Sequence, residues 1–264
     1  MTGRVELWTG AVLLAGLAAL AIAVPWLGPD PDATDYANRL AAPGTSHLLG
    51  TDQAGRDVLA RAAAGVRTSL GAALLVTVVS AAVGLVVGVT AALAGGVVDA
   101  VLSRVVDVVL AVPQLVLALA VVGVLGPGLA NLVLAMALAG WAPLARYSRT
   151  YAAGLLHRPY VVAAELAGVP RPLAAVRHVV PATTSGVAAV ATLGLGEVVL
   201  GLAGLSFLGL GAAPPTAEWG QMAAESTTVA GTAPWLVVVP GTLIVLTVAC
   251  ASLLGDALSH GETR

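Results

Sequence analysis

Residues 160–181, YVVAAELAGVPRPLAAVRHVVP, lie in the longest polar interruption of an otherwise apolar chain. Residues 161–167 are rich in good helix formers, and Gly168 permits a left-handed turn that a residue with a Cβ resists. Pro170 and Pro172 end the first helix and redirect the chain, and residues 173–180 favour a second short helix that Pro181 separates from the next apolar run. The stretch predicts a rigid knob of two short helices, suited to a groove on another protein. The alternative is an ordinary interhelical loop in which the glycine caps a helix.

The composition indicates a membrane protein. The chain has 264 residues, of which 58% are hydrophobic and 10% are charged, whereas soluble domains carry roughly 25% charged residues. All 12 basic residues are arginine, and a P-loop ATPase needs a lysine on the phosphates, so the chain cannot hydrolyse ATP by that route. Cys250 is the single cysteine, which excludes an internal disulfide or a cysteine metal cluster. No catalytic motif, metal-binding motif or basic patch for nucleic acid is present.

Six apolar runs have about the length that a membrane-spanning helix needs. They cover residues 7–27, 70–94, 108–125, 129–145, 182–205 and 235–254. The first run could instead be a cleaved signal peptide, because residues 21–23 fit a small-x-small cleavage site, but Pro25 and Trp26 continue it as an interfacial anchor would. Pro113 interrupts the third run. The pattern predicts an all-α membrane protein with six transmembrane helices.

Small residues recur every fourth position along the second run, at Ser80, Gly84, Gly88, Ala92 and Gly96. They form a stripe along one face of the predicted helix, which allows the backbone of a neighbouring helix to come close. We expect this face to pack against another helix, with pore lining as the alternative.

The distribution of arginines predicts the orientation. Six spans place both termini on one side of the membrane, and eight of the 12 arginines lie on that side: Arg4, Arg104, Arg146, Arg149, Arg158, Arg171, Arg177 and Arg264. Because basic residues are enriched in cytoplasmic loops, both termini and residues 160–181 are expected in the cytoplasm.

Glu197 is the only acid in the middle of a predicted span. A charge near the bilayer centre costs roughly 2.5 to 3.5 kcal/mol on insertion scales, so the side chain should face protein or a wet cavity. It either lines a translocation path or is buried and bonded to a neighbouring helix.

The stretch from 160 to 181 resembles the EAA loop of the membrane-spanning subunits of bacterial ABC importers. Five positions fit that pattern, Ala163, Ala164, Gly168, Val180 and Pro181, whereas Val162 stands where the family usually has glutamate. His178 opens the closing HVVP, as it does in the peptide and nickel branch. The resemblance implies that the loop docks on an ATPase subunit. The residues implied in coupling are Arg149 and Arg158 as polar contacts, Ala163 and Ala164 for close packing, Gly168 for the bend, His178, and Pro181 for the exit.

Two further segments resemble the dipeptide, oligopeptide and nickel permeases. Residues 47–61, HLLGTDQAGRDVLAR, match a family signature that includes Gly50, Asp52, Gly55, Arg56 and Asp57, with Ala60 in place of the usual serine. The two glycines favour turns, and the acids lie close enough to Arg56 to pair with it. A solvated, self-capped loop is the alternative, and metal binding there is not expected. Residues 205–220, LSFLGLGAAPPTAEWG, match a second family pattern whose Gly, Pro and Trp content suits a re-entrant or interfacial turn at the outer face.

The resemblance implies the permease subunit of an ABC importer with the type I permease fold. Residues 1–66 would form an N-terminal helix and extracytoplasmic loop, 67–256 the transmembrane domain with its coupling loop at about 146–181, and 257–264 a cytoplasmic tail. The implied partners are a homologous second permease, two ATPase subunits that bind ATP and magnesium, an extracytoplasmic substrate-binding protein and membrane lipid, without nucleic acid. The chain itself would hold no cofactor and be multi-pass in the bacterial inner membrane.

Peptides are the implied substrate, with nickel or a metal chelate as the alternative on the same scaffold. A different class of protein is also open, an ion-coupled secondary transporter in which Glu197 would be the proton or cation site. An intramembrane enzyme is disfavoured because the sequence has no nucleophile–base or metal constellation.

Overall fold

A computed structural model describes residues 28–261 and a few single positions before them, with backbone only from 258 onward. The predicted first span, 7–27, and the choice between a span and a signal peptide therefore lie outside the described residues. Within 28–261 the regular structure is helical, apart from one isolated bridge between Thr51 and Asp57. The helices are α1 Val58–Ala94, α2 Gly96–Leu110, α3 Gln114–Leu125, α4 Leu129–Leu156, α5 Pro159–Leu166, α6 Arg171–Phe207, α7 Trp219–Ser226 and α8 Trp235–Gly261.

Four of the described helices are long and apolar enough to cross a membrane, namely α1, α4, α6 and α8. A fifth crossing is possible if α2 and α3 act together, although their axes differ by 85°. The prediction of a helical membrane protein is confirmed, and the total of six spans stays a prediction.

The third predicted span, 108–125, is not one straight helix. α2 ends at Leu110, and α3 starts at Gln114 after a sharp bend. Pro113 lacks an N–H group and disfavours the helical conformation at Val112, which accounts for the break. The span is therefore bent or broken at a position that the sequence marked only as an interruption.

The other long helices extend beyond the apolar runs. α1 begins at Val58 and so passes through the predicted domain boundary between 66 and 67, while α4 continues to Leu156. α6 begins at Arg171, so the expectation that Pro181 separates a short helix from the next span is wrong. A π-helical turn, Ala175–Val179, lies just before Pro181. This wider turn gives the proline ring room against the preceding carbonyl, so the helix continues.

The small-residue stripe on α1 packs against α4, as predicted. A Cβ added to Gly84 would lie 2.7 Å from Leu144 Cβ, and one added to Gly88 would lie 2.5 Å from Ser148 Cβ. Apolar residues of α1, α3, α4 and α6 form the main core around Val76, Ala118, Leu132, Met136, Val199 and Leu202.

Candidate coupling loop and membrane pocket

Gly168 makes the turn that the sequence predicts. Its φ is +91°, its N–H donates to Glu165 O at 2.9 Å, and the next N–H, of Val169, donates to Ala164 O at 3.1 Å. These two hydrogen bonds form a Schellman motif, which closes the carboxyl end of α5. A Cβ at Gly168 would meet no atom within 4 Å, so the backbone angle alone requires glycine.

The loop is anchored on the bundle through four buried apolar residues. Val161 of α5 and the first turns of α6 pack against the ends of α1 and α4. The buried loop residues are Val161, Ala174, Ala175 and Val179, and their partners include Val89, Ala152, Leu155 and Leu156. α5 and the start of α6 therefore form one packed unit with α1 and α4, so a displacement of the loop would be transmitted to those helices.

The opposite side of the loop exposes apolar side chains. Leu166 is 85% exposed, Val176 60%, Leu173 48% and Val162 41%. Of the two alanines in the EAA-like pattern, Ala163 is exposed and Ala164 is half-buried against the anchoring cluster. Exposed apolar side chains of this kind are suited to contact with another protein.

The other predicted coupling residues are spread over three helices, α4, α5 and α6. Arg149 lies on α4 and forms a bidentate ion pair with Asp99 of α2, so this arginine links two helices of the same chain. Arg158 is exposed at the amino end of α5, and His178 makes an edge-on contact with the Tyr160 ring at 6.0 Å. Pro181 is exposed within α6. The roles of these residues toward an ATPase stay predictions.

The predicted signature loop is buried rather than solvated. Gly50 and Gly55 have φ angles of +76° and +75°, and Arg56 Nε lies 2.7 Å from Asp52 Oδ2, as the spacing suggested. Asp57 caps α1 by accepting from the Ala60 N–H at 2.9 Å. The alternative of a solvated loop is wrong, because Asp52, Arg56 and Asp57 are each less than a tenth exposed.

Arg61 is a central residue of this region, although no role was predicted for it. It is 1% exposed, its Nε lies 3.4 Å from Asp52 Oδ2, and its Nη1 donates to Pro215 O at 3.1 Å. Glu225 of α7 lies 3.4 Å from Arg56 and its backbone carbonyl accepts from Gln53 at 2.6 Å. The two family motifs thus pack together around buried charges. The signal in the sequence was the position of Arg61 at the end of the matched signature 47–61.

One carboxyl group of the segment before α1 has a shifted pKa. Asp35 starts a short 3₁₀ turn, Tyr36–Asn38, and its Oδ2 accepts from the Asn38 side-chain amide at 2.8 Å. This hydrogen bond is the main reason that the pKa of Asp35 lies below its ordinary value. The ionised form of Asp35 therefore holds the turn at neutral pH.

A polar pocket of about 170 Å³ lies within the helical bundle, between α1, α4, α6 and the start of α3. Its polar lining consists of Thr77, Ser80, Gln114 and Glu197. Glu197 is exposed on α6, and among the described residues it makes no hydrogen bond or ion pair. The alternative of a buried glutamate bonded to a neighbouring helix therefore does not hold within the described chain.

Comparison with known proteins identifies the family. The family model for the binding-protein-dependent transport system inner membrane component matches residues 84–262. The nickel transport system permease protein NikC of Escherichia coli strain K12 is 38% identical over 259 residues, which cover 98% of this chain and 94% of that protein. The glutathione transport system permease protein GsiD of Escherichia coli O1:K1 is 36% identical over 252 residues, which cover 95% of this chain and 83% of GsiD.

Membership of this family fixes several properties. Permease subunits of ABC transporters are not themselves enzymes, because ATP hydrolysis takes place on separate subunits. A binding-protein-dependent system also includes a substrate-binding protein, a second permease and ATPase partners. The chain belongs to the binding-protein-dependent inner membrane components, as a permease subunit of an ABC importer of the peptide and nickel type.

Proposed function

We propose that this chain forms one half of a translocation pathway and couples it to ATP hydrolysis through residues 160–181. A homologous second permease supplies the other half, and two ATPase subunits, which hold ATP and magnesium, bind at the cytoplasmic face. A binding protein delivers the substrate from the outer face. Closure of the ATPase dimer moves the loops, and the packed helices follow as rigid bodies.

The observation that carries this proposal is the two-sided construction of the loop. One side is buried against α1 and α4 through Val161, Ala174 and Val179, and the other side presents Val162, Leu166 and Leu173 to solvent. The rigid turn at Gly168 holds the two sides together. Such a loop can receive force at its exposed side and pass it to the helices of the bundle.

Peptides are the proposed substrate, with nickel or a metal chelate as the alternative. The relatives named above carry nickel and glutathione by their names, and glutathione is itself a tripeptide. Both alternatives use the same membrane scaffold, so the choice between them depends on the pathway and on the binding protein.

The docking role is tested by Leu166→Glu in the assembled transporter, expressed with its permease, ATPase and binding-protein partners. A charge on this exposed apolar surface should abolish co-purification of the ATPase and ATP-dependent uptake, because the carboxylate would be buried unpaired at the contact. Val97→Glu is the control, since Val97 is also an exposed apolar residue, at 79%, but lies outside the loop. Normal ATPase binding by Leu166→Glu would contradict the docking role.

The competing function, an ion-coupled secondary transporter, makes a separate prediction. The chain purified alone and placed in lipid vesicles would then accumulate substrate with a proton or sodium gradient and no ATP. We expect no uptake under these conditions, and ATP-dependent uptake only when the ATPase partners are present. Gradient-driven uptake by the chain alone would refute the importer mechanism for this protein.

A further inference from the structure

The polar pocket beside Glu197 lies next to the sharp bend between α2 and α3. Gln114 is the first residue of α3, directly after the 85° bend, and lines the pocket together with Glu197 of α6. Ser80 and Thr77 of α1 complete its polar wall. Polar groups and helix breaks at membrane depth occur where the chain lines a cavity or a binding site.

Several of these polar groups have no partner. The Thr77 hydroxyl oxygen is buried and makes no hydrogen bond. The Gln114 side-chain amide and the Glu197 carboxylate likewise make none with the described residues. A buried hydroxyl without a partner is costly, so Thr77 indicates a ligand or water in the pocket. The exposed Glu197 and the half-buried Gln114 have polar groups that no partner among the described residues occupies, so these groups are available to the same ligand.

The charge of the pocket selects the kind of ligand. Glu197 is the only ionisable residue that lines it among the described residues, and no arginine or histidine does. The remaining polar groups are neutral hydroxyls and one amide. The pocket therefore presents one negative charge that the protein does not neutralise.

We propose that Glu197 and Gln114 form a subsite of the translocation pathway that binds the positively charged group of the substrate. The inference rests on the proposed function and specifies the chemistry of its pathway. Glu197 pairs with the cationic group, while Gln114, Ser80 and Thr77 supply neutral hydrogen-bonding groups around it. A pocket of about 170 Å³ holds a small charged group, such as the ammonium of a peptide or a single metal ion, and leaves the rest of a peptide in the wider pathway.

The test measures ATP-dependent uptake by the assembled transporter with three probes: dialanine, N-acetyl-dialanine, which lacks the ammonium group, and Ni²⁺. Glu197→Gln keeps the size of the side chain and removes its charge. It should lower uptake of the transported cationic probe about tenfold or more, because a close charge partner is lost. Glu197→Asp should restore much of the rate. Comparing uptake of dialanine with uptake of Ni²⁺ shows whether the subsite binds the ammonium group of a peptide or a metal ion.

Thr192→Val is the matched control, because Thr192 lies on the same helix, outside this pocket, and its hydroxyl bonds to Ala188 O at 2.8 Å. It should leave the uptake rates unchanged. Gln114→Ala should weaken uptake less than Glu197→Gln and keep the preference for the cationic probe. Each variant must reach the membrane and co-purify with the ATPase, which separates loss of the site from loss of assembly.

The outcomes distinguish this inference from the proposed function. If the wild-type assembly shows no ATP-dependent uptake of any probe, the proposed function fails and the inference fails with it. If wild-type uptake is ATP-dependent but Glu197→Gln transports the cationic probe at the wild-type rate, the importer stands and the subsite is overturned. Equal uptake of dialanine and its N-acetylated form by the wild type would overturn the charge selectivity as well, in a transporter that carries peptides.

Discussion

A single glycine fixes the direction of the chain in the coupling loop. Gly168 has space around it for a side chain, yet its φ of +91° lies outside the region that residues with a Cβ adopt easily. Its role is therefore a matter of backbone conformation rather than packing. The sequence indicated this from the position of the glycine between a helix and Pro170.

Gly168→Leu tests this role at the residue scale. We expect insertion at the normal level and loss of most ATP-dependent uptake, because a residue with a Cβ costs about 1–2 kcal/mol in a left-handed conformation and would reorient the exposed side of the loop. Gly168→Asn should retain more activity, since asparagine tolerates positive φ better.

Gly154→Ala is the control for that experiment, because Gly154 also has open space around it but lies within α4 without a positive φ. It should leave uptake unchanged. Uptake at the normal rate by Gly168→Leu would contradict the coupling role of the turn.

Arg61 shows how a buried charge can organise two distant segments. Its guanidinium contacts Asp52 in its own motif and the carbonyl of Pro215 in the second motif. A buried arginine needs such partners because its desolvation is costly. Each motif thus supplies part of the environment of the same side chain.

At the scale of the elements, the α1–α4 contact depends on small residues. A side chain at Gly88 would come within 2.5 Å of Ser148 Cβ and would also meet the backbone of Ala145 and Arg149. Helices that approach so closely can move as one body, and α4 also supports the coupling loop through Leu155 and Leu156.

Gly88→Val is therefore expected to separate α1 from α4 and to destabilise the protein by about 1–3 kcal/mol or more. Thermal unfolding of the purified chain in detergent measures the effect as a lower midpoint. Gly71→Val is the control, because Gly71 lies on the same helix and a Cβ there meets nothing within 4 Å. An unchanged midpoint for Gly88→Val would mean that the contact between these helices adapts without cost.

Helix α6 shows that a proline does not always end a helix. The π turn Ala175–Val179 precedes Pro181, and the helix continues from the coupling loop to Phe207 without a break. Residues 171–181 of the loop and Glu197 consequently lie on one continuous helix, α6. A movement of the loop can therefore reach the membrane pocket through α6 directly.

For the whole molecule, the orientation in the membrane is the central expectation. The arginine distribution predicts that the coupling loop lies in the cytoplasm and that the segment before α1, with the buried Arg56 and Arg61, lies on the opposite side. The exposed positions Ala167 and Thr45 lie in these two regions.

Cysteine labelling measures this orientation. In a Cys250→Ala background, a membrane-impermeant maleimide should label Thr45→Cys in intact cells and Ala167→Cys only after the membrane is opened, because the reagent reaches only the outer face of a sealed cell. Labelling of Ala167→Cys in intact cells would contradict the predicted orientation. The loop would then lie on the outer face of the membrane, away from the ATP in the cytoplasm.

The sequence by itself determined the protein class, the absence of a P-loop and the turn at Gly168, because these depend on composition and on local backbone preferences. It also identified the α1 stripe, since helical periodicity places Gly84 and Gly88 on one face. Only the tertiary structure decided that α6 continues through Pro181, that Arg149 pairs with Asp99, and that Arg61 joins two motifs. The continuation of α6 depends on the π turn before Pro181, which the proline itself does not signal. The two arginine contacts depend on groups from distant parts of the chain that come together only when the helices pack. The same is true of the pocket around Glu197, whose walls come from four helices.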